Sequence, residues 1–350
     1  MRALFYAEQN YAYAILRPLQ REILRRGGEV RWFLVGTEID ATYLTELETR
    51  LTSVREVQGW QPDAVFVPGN TVPRFLPGLK VEVFHGFAAG KSYNRGEDAH
   101  FAIRHCFDLY CTHGPTSTGR FRELAKEHGY FEVLETGWPM VDPLFTPVDN
   151  NPYVERRDSR PTVLFCSTFS RRYSCAETLF DRVRELKATG RFRWLVQFHP
   201  KMAAPTVEKY RSIADENLSF IETDNVIPLL QAGDVMLCDT SSILAMYLLL
   251  GKPVVAFRNQ DPGPHLINIR EPGELEGALE SGLSPDRDRD EAIARYCEGL
   301  DPFRDGRSSA RILDGVERIL AHGLHVRNKK PLNLLRELKM RRQLNYWGLP

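Results

Sequence analysis

The chain has 350 residues, more than one hydrophobic core usually serves, so two domains are expected. Its 46 Lys plus Arg balance 46 Asp plus Glu, which argues against a general nucleic-acid binder, because such affinity comes largely from a basic excess. At 43% apolar and 26% charged the composition is ordinary for a globular protein, and its longest mostly apolar run, residues 243–250, falls far short of the roughly twenty residues that a membrane span needs.

The opening Met-Arg-Ala-Leu-Phe-Tyr-Ala is too short an apolar stretch for a signal peptide and reads as a first buried strand. Apolar runs at residues 3–7, 30–35, 64–67, 81–84, 109–112 and 131–134 alternate with helical patterns at 19–26, 41–51 and 117–127. That alternation is the signature of a parallel sheet covered by helices. Pro18 is expected to start or kink the first helix. Residues 146–161 are rich in Pro and Asn, lack periodicity and read as a linker, dividing a domain at 1–150 from one at 151–324. Past it, strands are expected at 162–166, 194–198, 218–221, 235–238 and 254–257, with helices from Ala176, Thr206, Val226, Ser242, Asp290 and Ser308. Two doubly wound, Rossmann-type α/β domains predict an interdomain cleft, with ligands at the strand C-termini.

Residues 325–350 stand apart. Seven Lys or Arg against Glu337 alone give 7 − 1 = +6, and Leu332, Leu335 and Leu338 recur at helical spacing. Two readings stay open: a closing helix that packs its leucines on the N-terminal domain, or a basic amphipathic foot on an anionic membrane surface. The six cysteines form no C-x-x-C pair and read as free thiols of a reducing cytosol. The acids are scattered, so no tightly held metal or cofactor is expected.

The candidate chemistry lies at strand ends. In Gln197-Phe198-His199-Pro200 the His-Pro pair projects an imidazole from a turn at the C-terminal edge of a sheet, where these folds act on ligands. Asp239-Thr240-Ser241-Ser242 carries a strand straight into an apolar helix, leaving N–H groups and small hydroxyls that suit a phosphate; ordinary N-capping explains the same pattern. His85-Gly86 repeats the strand-then-histidine pattern, and His85 is a general-base candidate. Gly86 and Gly90 are separated by only three residues, so Gly90-Lys91-Ser92 is not a P-loop. His113, at a further strand end, reads as structural.

Taken in order, these segments resemble the CDP-glycerol glycerophosphotransferase family, the teichoic acid primases and polymerases. The resemblance runs over His85-Gly86, Gly137-x-Pro139-x-x-Asp142, Thr168 with Arg171, His199-Pro200, Asp239 to Ser242, and Asp305-Gly306 with Ser308, Ser309 and Arg311, about residues 80 to 320. It implies a GT-B-like architecture of two Rossmann-type domains with the nucleotide donor in the second. It further implies a CDP-activated polyol, most simply CDP-glycerol, as donor, a glycan or glycolipid acceptor, CMP as product, and a cytoplasmic enzyme at the inner membrane face. His85 would be the base, with His199 and Asp142 completing the catalytic set. Gly86, Lys91, Thr168, Arg171, Pro200, Asp239, Thr240, Ser241, Ser242, Ser308 and Arg311 would hold the substrates. The same features would serve a nucleotide-sugar glycosyltransferase, a UDP-sugar 2-epimerase-like enzyme, or an inactive nucleotide-binding module.

Overall fold

The computed structural model describes residues 1–87, 99–154, 158–223 and 225–348. Among these, seven strands form one parallel sheet: β1 (Arg2–Gln9), β2 (Glu29–Glu38), β3 (Arg50–Leu51), β4 (Ala64–Val67), β5 (Leu79–Glu82), β6 (Leu109–Thr112) and β7 (Glu132–Glu135). Their spatial order is β3-β2-β1-β4-β5-β6-β7. Six more, β8 (Thr162–Ser167), β9 (Arg193–Phe198), β10 (Leu218–Phe220), β11 (Val235–Cys238), β12 (Val254–Phe257) and β13 (Ile267–Ile269), form a second parallel sheet in the order β10-β9-β8-β11-β12-β13. Each order reverses once, between β1 and β4 in the first sheet and between β8 and β11 in the second. Ligands of doubly wound folds bind beyond such a reversal. The central strands are buried on both faces, Ala3 to Ala7 in β1 and all of β4, β6, β8, β11 and β12, which is why they read as continuous apolar runs.

Helices α1 (Tyr11–Arg25), α2 (Val54–Trp60) and α3 (Pro115–His128) accompany the first sheet. The second has α4 (Ala176–Ala188), α5 (Ala204–Ser212), α6 (Ile227–Ala232), α7 (Ile243–Leu248), α8 (Leu275–Leu283) and α9 (Arg287–Leu300), followed by α10 (Ser308–His322) and α11 (Leu334–Gln343). No helix among the described residues is long and apolar enough to cross a membrane.

Two expectations fail locally. Helix α1 starts at Tyr11 and runs through Pro18, because Ala12, Ile15, Leu16, Leu19 and Ile23 make one buried face. The proline removes the bond to the carbonyl of Ala14, a residue exposed to water. The helical pattern at 41–51 is not a helix. Asp40 caps a single 3₁₀ turn at Ala41–Tyr43, and Arg17 clasps Glu48 at 2.9 Å, after which Arg50 and Leu51 join the edge of β2. The true helix, α2, starts after Ser53, whose hydroxyl oxygen accepts the Glu56 N–H at 3.3 Å, while the Glu56 carboxylate accepts the Thr52 N–H at 3.0 Å.

The chain divides into two compact units, Met1–Pro143 with Gly299–Pro350, and Leu144–Glu298. The expected division at 150 and 324 is therefore corrected: α10 and the tail fold with the first unit. The reason is local. Both oxygens of Asp142 accept the N–H groups of Ser308 and Ser309 at 2.8 Å, capping α10. Arg26 of the α1 end pairs with Asp314 at 2.8 Å and Glu317 at 3.0 Å, and Arg318 with Glu132 at 2.6 Å. Gly137 (φ +80°) approaches α10 so closely that a Cβ there would lie 2.5 Å from Ser308 Oγ.

Replacing Asp142 with Ala strands two buried N–H donors at that helix start. It should cost about 2–3 kcal/mol, read as a lower urea midpoint at unchanged m-value. A midpoint equal to wild type would show that the cap contributes nothing.

Candidate functional site

At the reversal in the second sheet, β8 ends in Ser167 and β11 ends at Cys238, directly before the fully buried Asp239. The Asp239 carboxylate accepts from Ser167 Oγ at 2.6 Å and from the N–H groups of Thr168 at 3.1 Å and Cys175 at 3.2 Å. Burial raises its pKa and these bonds oppose the rise. Asp239 thus shapes the loop between β8 and α4, and its oxygens face inward. Thr240 Oγ1 is engaged too, accepting from Gln260 N–H at 3.2 Å. Ser241 and Ser242 differ. Neither hydroxyl is hydrogen-bonded among the described residues, and Ser242 sits at the N-cap of α7 without capping it. Donors at this strand-to-helix turn therefore remain free for an anion.

His199 follows β9 on the other side of β8. Its Nδ1 accepts the Lys201 N–H at 3.0 Å, so in the neutral ring the proton lies on Nε2, a donor. Partial burial, with Lys201 adding, lowers its pKa. Phe169 packs against the ring at 4.5 Å between centroids. Pro200, Thr168 and the exposed Arg171 flank the same edge. Sequence reasoning missed the neighbouring cleft after β12 and β13, lined by Arg258, Asn259, Gln260, Asn268, Arg270 and Glu271. Its Asn259 amide donates to the Asp239 carbonyl at 3.1 Å, and Arg258 holds a left-handed backbone (φ +49°). The only available signal was position, since these residues directly follow strand ends.

At the reversal in the first sheet, His85 stands after β5. Its Nδ1 lies 3.0 Å from the Pro68 carbonyl, which can only accept, so Nδ1 carries the proton and the exposed Nε2 offers a lone pair. Tyr11, the first residue of α1, stacks on the ring at 5.3 Å between centroids and 21° between planes. The preceding Phe84 is buried with φ +58°, a strained conformation for a bulky residue. Neither partner was foreseen. The two histidines thus present opposite tautomers, one ready to accept a proton and one to donate a hydrogen bond.

Other expected residues have different occupations. Asp142 is the cap of α10 and is buried. Ser308 and Arg311 belong to the first unit, not to the nucleotide domain in which they were expected. Ser308 is buried against Gly137, while Arg311 is paired with Asp305 and lies 3.8 Å over the Phe303 ring. Gly86 follows His85 with open space where a Cβ would point, and Lys91 lies outside the described residues. All six cysteines are buried thiols. Among the described residues no group of three acidic, cysteine or histidine side chains could hold a metal ion.

The fold resembles two kinds of solved structure. The S. aureus MnaA–UDP structure has a TM-score of 0.65 at 16% identity, covering 95% of this chain and 100% of that one. A putative UDP-N-acetylglucosamine 2-epimerase from Listeria monocytogenes gives 0.64 at 14%, covering 91% and 96%. The wall teichoic acid polymerase TagF gives 0.64 at 15%, covering 92% and 90%. At such identity these likenesses establish the GT-B-like fold and nothing finer. No curated protein sequence matches the chain. The family model of CDP-glycerol:poly(glycerophosphate) glycerophosphotransferases, however, matches residues 116–318, more than half of it. The chain belongs to that family. The match covers all of the second unit, with His199 and the Asp239–Ser242 turn, and both partners of the Asp142 cap. His85 lies outside it, so its assignment rests on geometry.

His113 of this glycerophosphotransferase is buried among the rings of Phe84, Phe87 and Trp138, and its Nε2 has no partner. Burial, with His100 adding, drives its pKa down to about 3. The unfolded chain protonates this ring near 6.5. Between those values the unfolded state holds the extra proton, so stability is lost as pH falls through the window. Urea unfolding of a His113→Phe variant should show a shallower loss of stability from about pH 6.5 to 4 than wild type. Superimposable profiles would mean that His113 is protonated in the fold.

Proposed function

We propose that this enzyme transfers glycerol phosphate from CDP-glycerol to a hydroxyl of a cell-envelope glycan or glycolipid and releases CMP. Family membership carries this reading, since the family description names CDP-glycerol as one substrate and poly(glycerophosphate) as the other. A further TagF structure of the same fold was soaked with CDPG. The second unit holds the donor: its diphosphate lies against the free N–H and hydroxyl groups of Ser241 and Ser242 and accepts from His199 Nε2–H. Arg171 adds a cation at this edge, and the Arg258–Arg270 cleft offers further polar contacts to the nucleotide. The acceptor oxygen gives its proton to His85 Nε2 and attacks the β-phosphorus. As that bond forms, the bond from the β-phosphorus to the bridging oxygen breaks, and CMP departs with the electron pair. Catalysis of this kind is mostly positioning plus donors aimed at the growing charge. Asp142, Asp239, Ser308 and Arg311 act as positioning residues through the loops they hold. The enzyme works in the cytoplasm, where its buried thiols stay reduced.

CMP release with CDP-glycerol and a poly(glycerophosphate) primer tests the roles. His85→Ala should lower kcat by about 10²–10⁴ while leaving CDP affinity intact; wild-type turnover would remove His85 as base. His199→Ala should weaken CDP binding and lower kcat by about 10²–10³, whereas unchanged CDP affinity would take it out of the donor site. The similarity to the MnaA–UDP structure favours a second reading as a UDP-sugar enzyme. Thermal shifts decide between them: stronger stabilisation by UDP than by CDP supports the second.

A further inference from the structure

The reversal of the first sheet gathers more than a base. Three adjacent strands, β1, β4 and β5, bring Glu8, Gly69 and His85 to one edge. Glu8 is half-buried, and its Oε1 accepts from the Tyr6 hydroxyl at 3.0 Å. Its Oε2 has no hydrogen-bond partner among the described residues, and neither has the hydroxyl of Tyr11, whose ring stacks on His85. A Cβ added to Gly69 would lie 3.7 Å from Glu8 Oε2 and 4.0 Å from the Tyr11 hydroxyl, so both groups face the point that a side chain would take up. Gly69 is not in the left-handed region, so its backbone angles do not demand glycine. What the missing side chain secures is open space between an acceptor and a donor.

The chemistry of the two groups says what fits there. Burial, with Glu8 adding, pushes the Tyr11 pKa up to about 12, so the phenol keeps its hydrogen and can donate it. Burial also raises the Glu8 pKa, the bond from Tyr6 opposing, and no cation pairs with this carboxyl among the described residues. A phosphodiester brings no hydrogen to Glu8 and is repelled by its charge. A hydroxyl gives its hydrogen to Oε2 and takes the Tyr11 hydrogen on its oxygen. Beside this hollow, His85 Nε2 offers its lone pair to a second hydroxyl, the one that attacks. Two hydroxyls held side by side are a vicinal diol, the group that a glycerol linked through one end leaves free.

We infer that Glu8 and Tyr11 select acceptors that end in a vicinal diol, by binding the hydroxyl next to the one that attacks. This rests on the proposed transfer of glycerol phosphate and names the acceptor terminus for it. CMP release tests it with two primers that differ by one oxygen: a short glycerol phosphate primer with a free terminal diol, and its analogue without the terminal secondary hydroxyl. Wild type should prefer the diol primer about 10–100-fold in kcat/KM. Glu8→Gln keeps a carbonyl for Tyr6 but sets an NH2 where Oε2 stood, and should lower kcat/KM for the diol primer by about 10–100-fold. Tyr11→Phe keeps the stack on His85 but drops the hydroxyl, and should cost that primer about 3–10-fold. In both variants the preference between primers shrinks by the same factor, while CDP affinity stays at the wild-type value. Equal kcat/KM of wild type for the two primers would overturn the inference and leave the reaction standing. So would a loss shared equally by both primers, which would make the two residues supports of His85. CMP release from neither primer would sink the reaction and this inference with it.

Discussion

A carboxylate with no access to water, Asp239, organises the end of the second sheet. Its three donors come from Ser167, Thr168 and Cys175 of one neighbouring segment, so one side chain ties the end of β11 to the end of β8 and to the start of α4. A buried anion without a cation beside it is expensive, and only such a set of hydrogen bonds makes it tolerable. Because the acid turns inward, Ser241 and Ser242 are left on the outer side of the turn, and His199 faces the same edge across β8. The proposed donor site thus stands on a hydrogen-bonded support, which places its donors before a ligand arrives.

The first unit repeats the device with Asp142, whose two oxygens cap α10 after a tight approach of Gly137 to Ser308. In both units an acid that looks chemical in the sequence serves the backbone.

The strands were largely legible because parallel strands buried on both faces leave unbroken apolar runs. The runs at 109–112 and 235–238 coincide with β6 and β11. The short edge strand β3 and the three-residue β13 carry no such run, and tertiary pairing alone makes them strands. Pattern failed at 41–51 because Asp40 and Glu48 spend their side chains on local and long-range bonds that a helix would forbid. His85 and His199 stood out as candidates because strand ends are recognisable. The orientation of their protons was not, since it depends on Pro68 and Lys201 in space. The tail's leucines were visible as a stripe, but which way they faced was not. The true domain boundary escaped because its cause is a contact between residues 142 and 308, far apart in sequence.

That boundary makes the first unit discontinuous, with α10 reached only after the whole of the second unit has been threaded through. During synthesis the earlier segment of the first unit must wait with the capping partner of Asp142 missing, while the entire later unit emerges and can condense by itself. Assembly therefore runs against the order of translation: the half that begins first is the last to close.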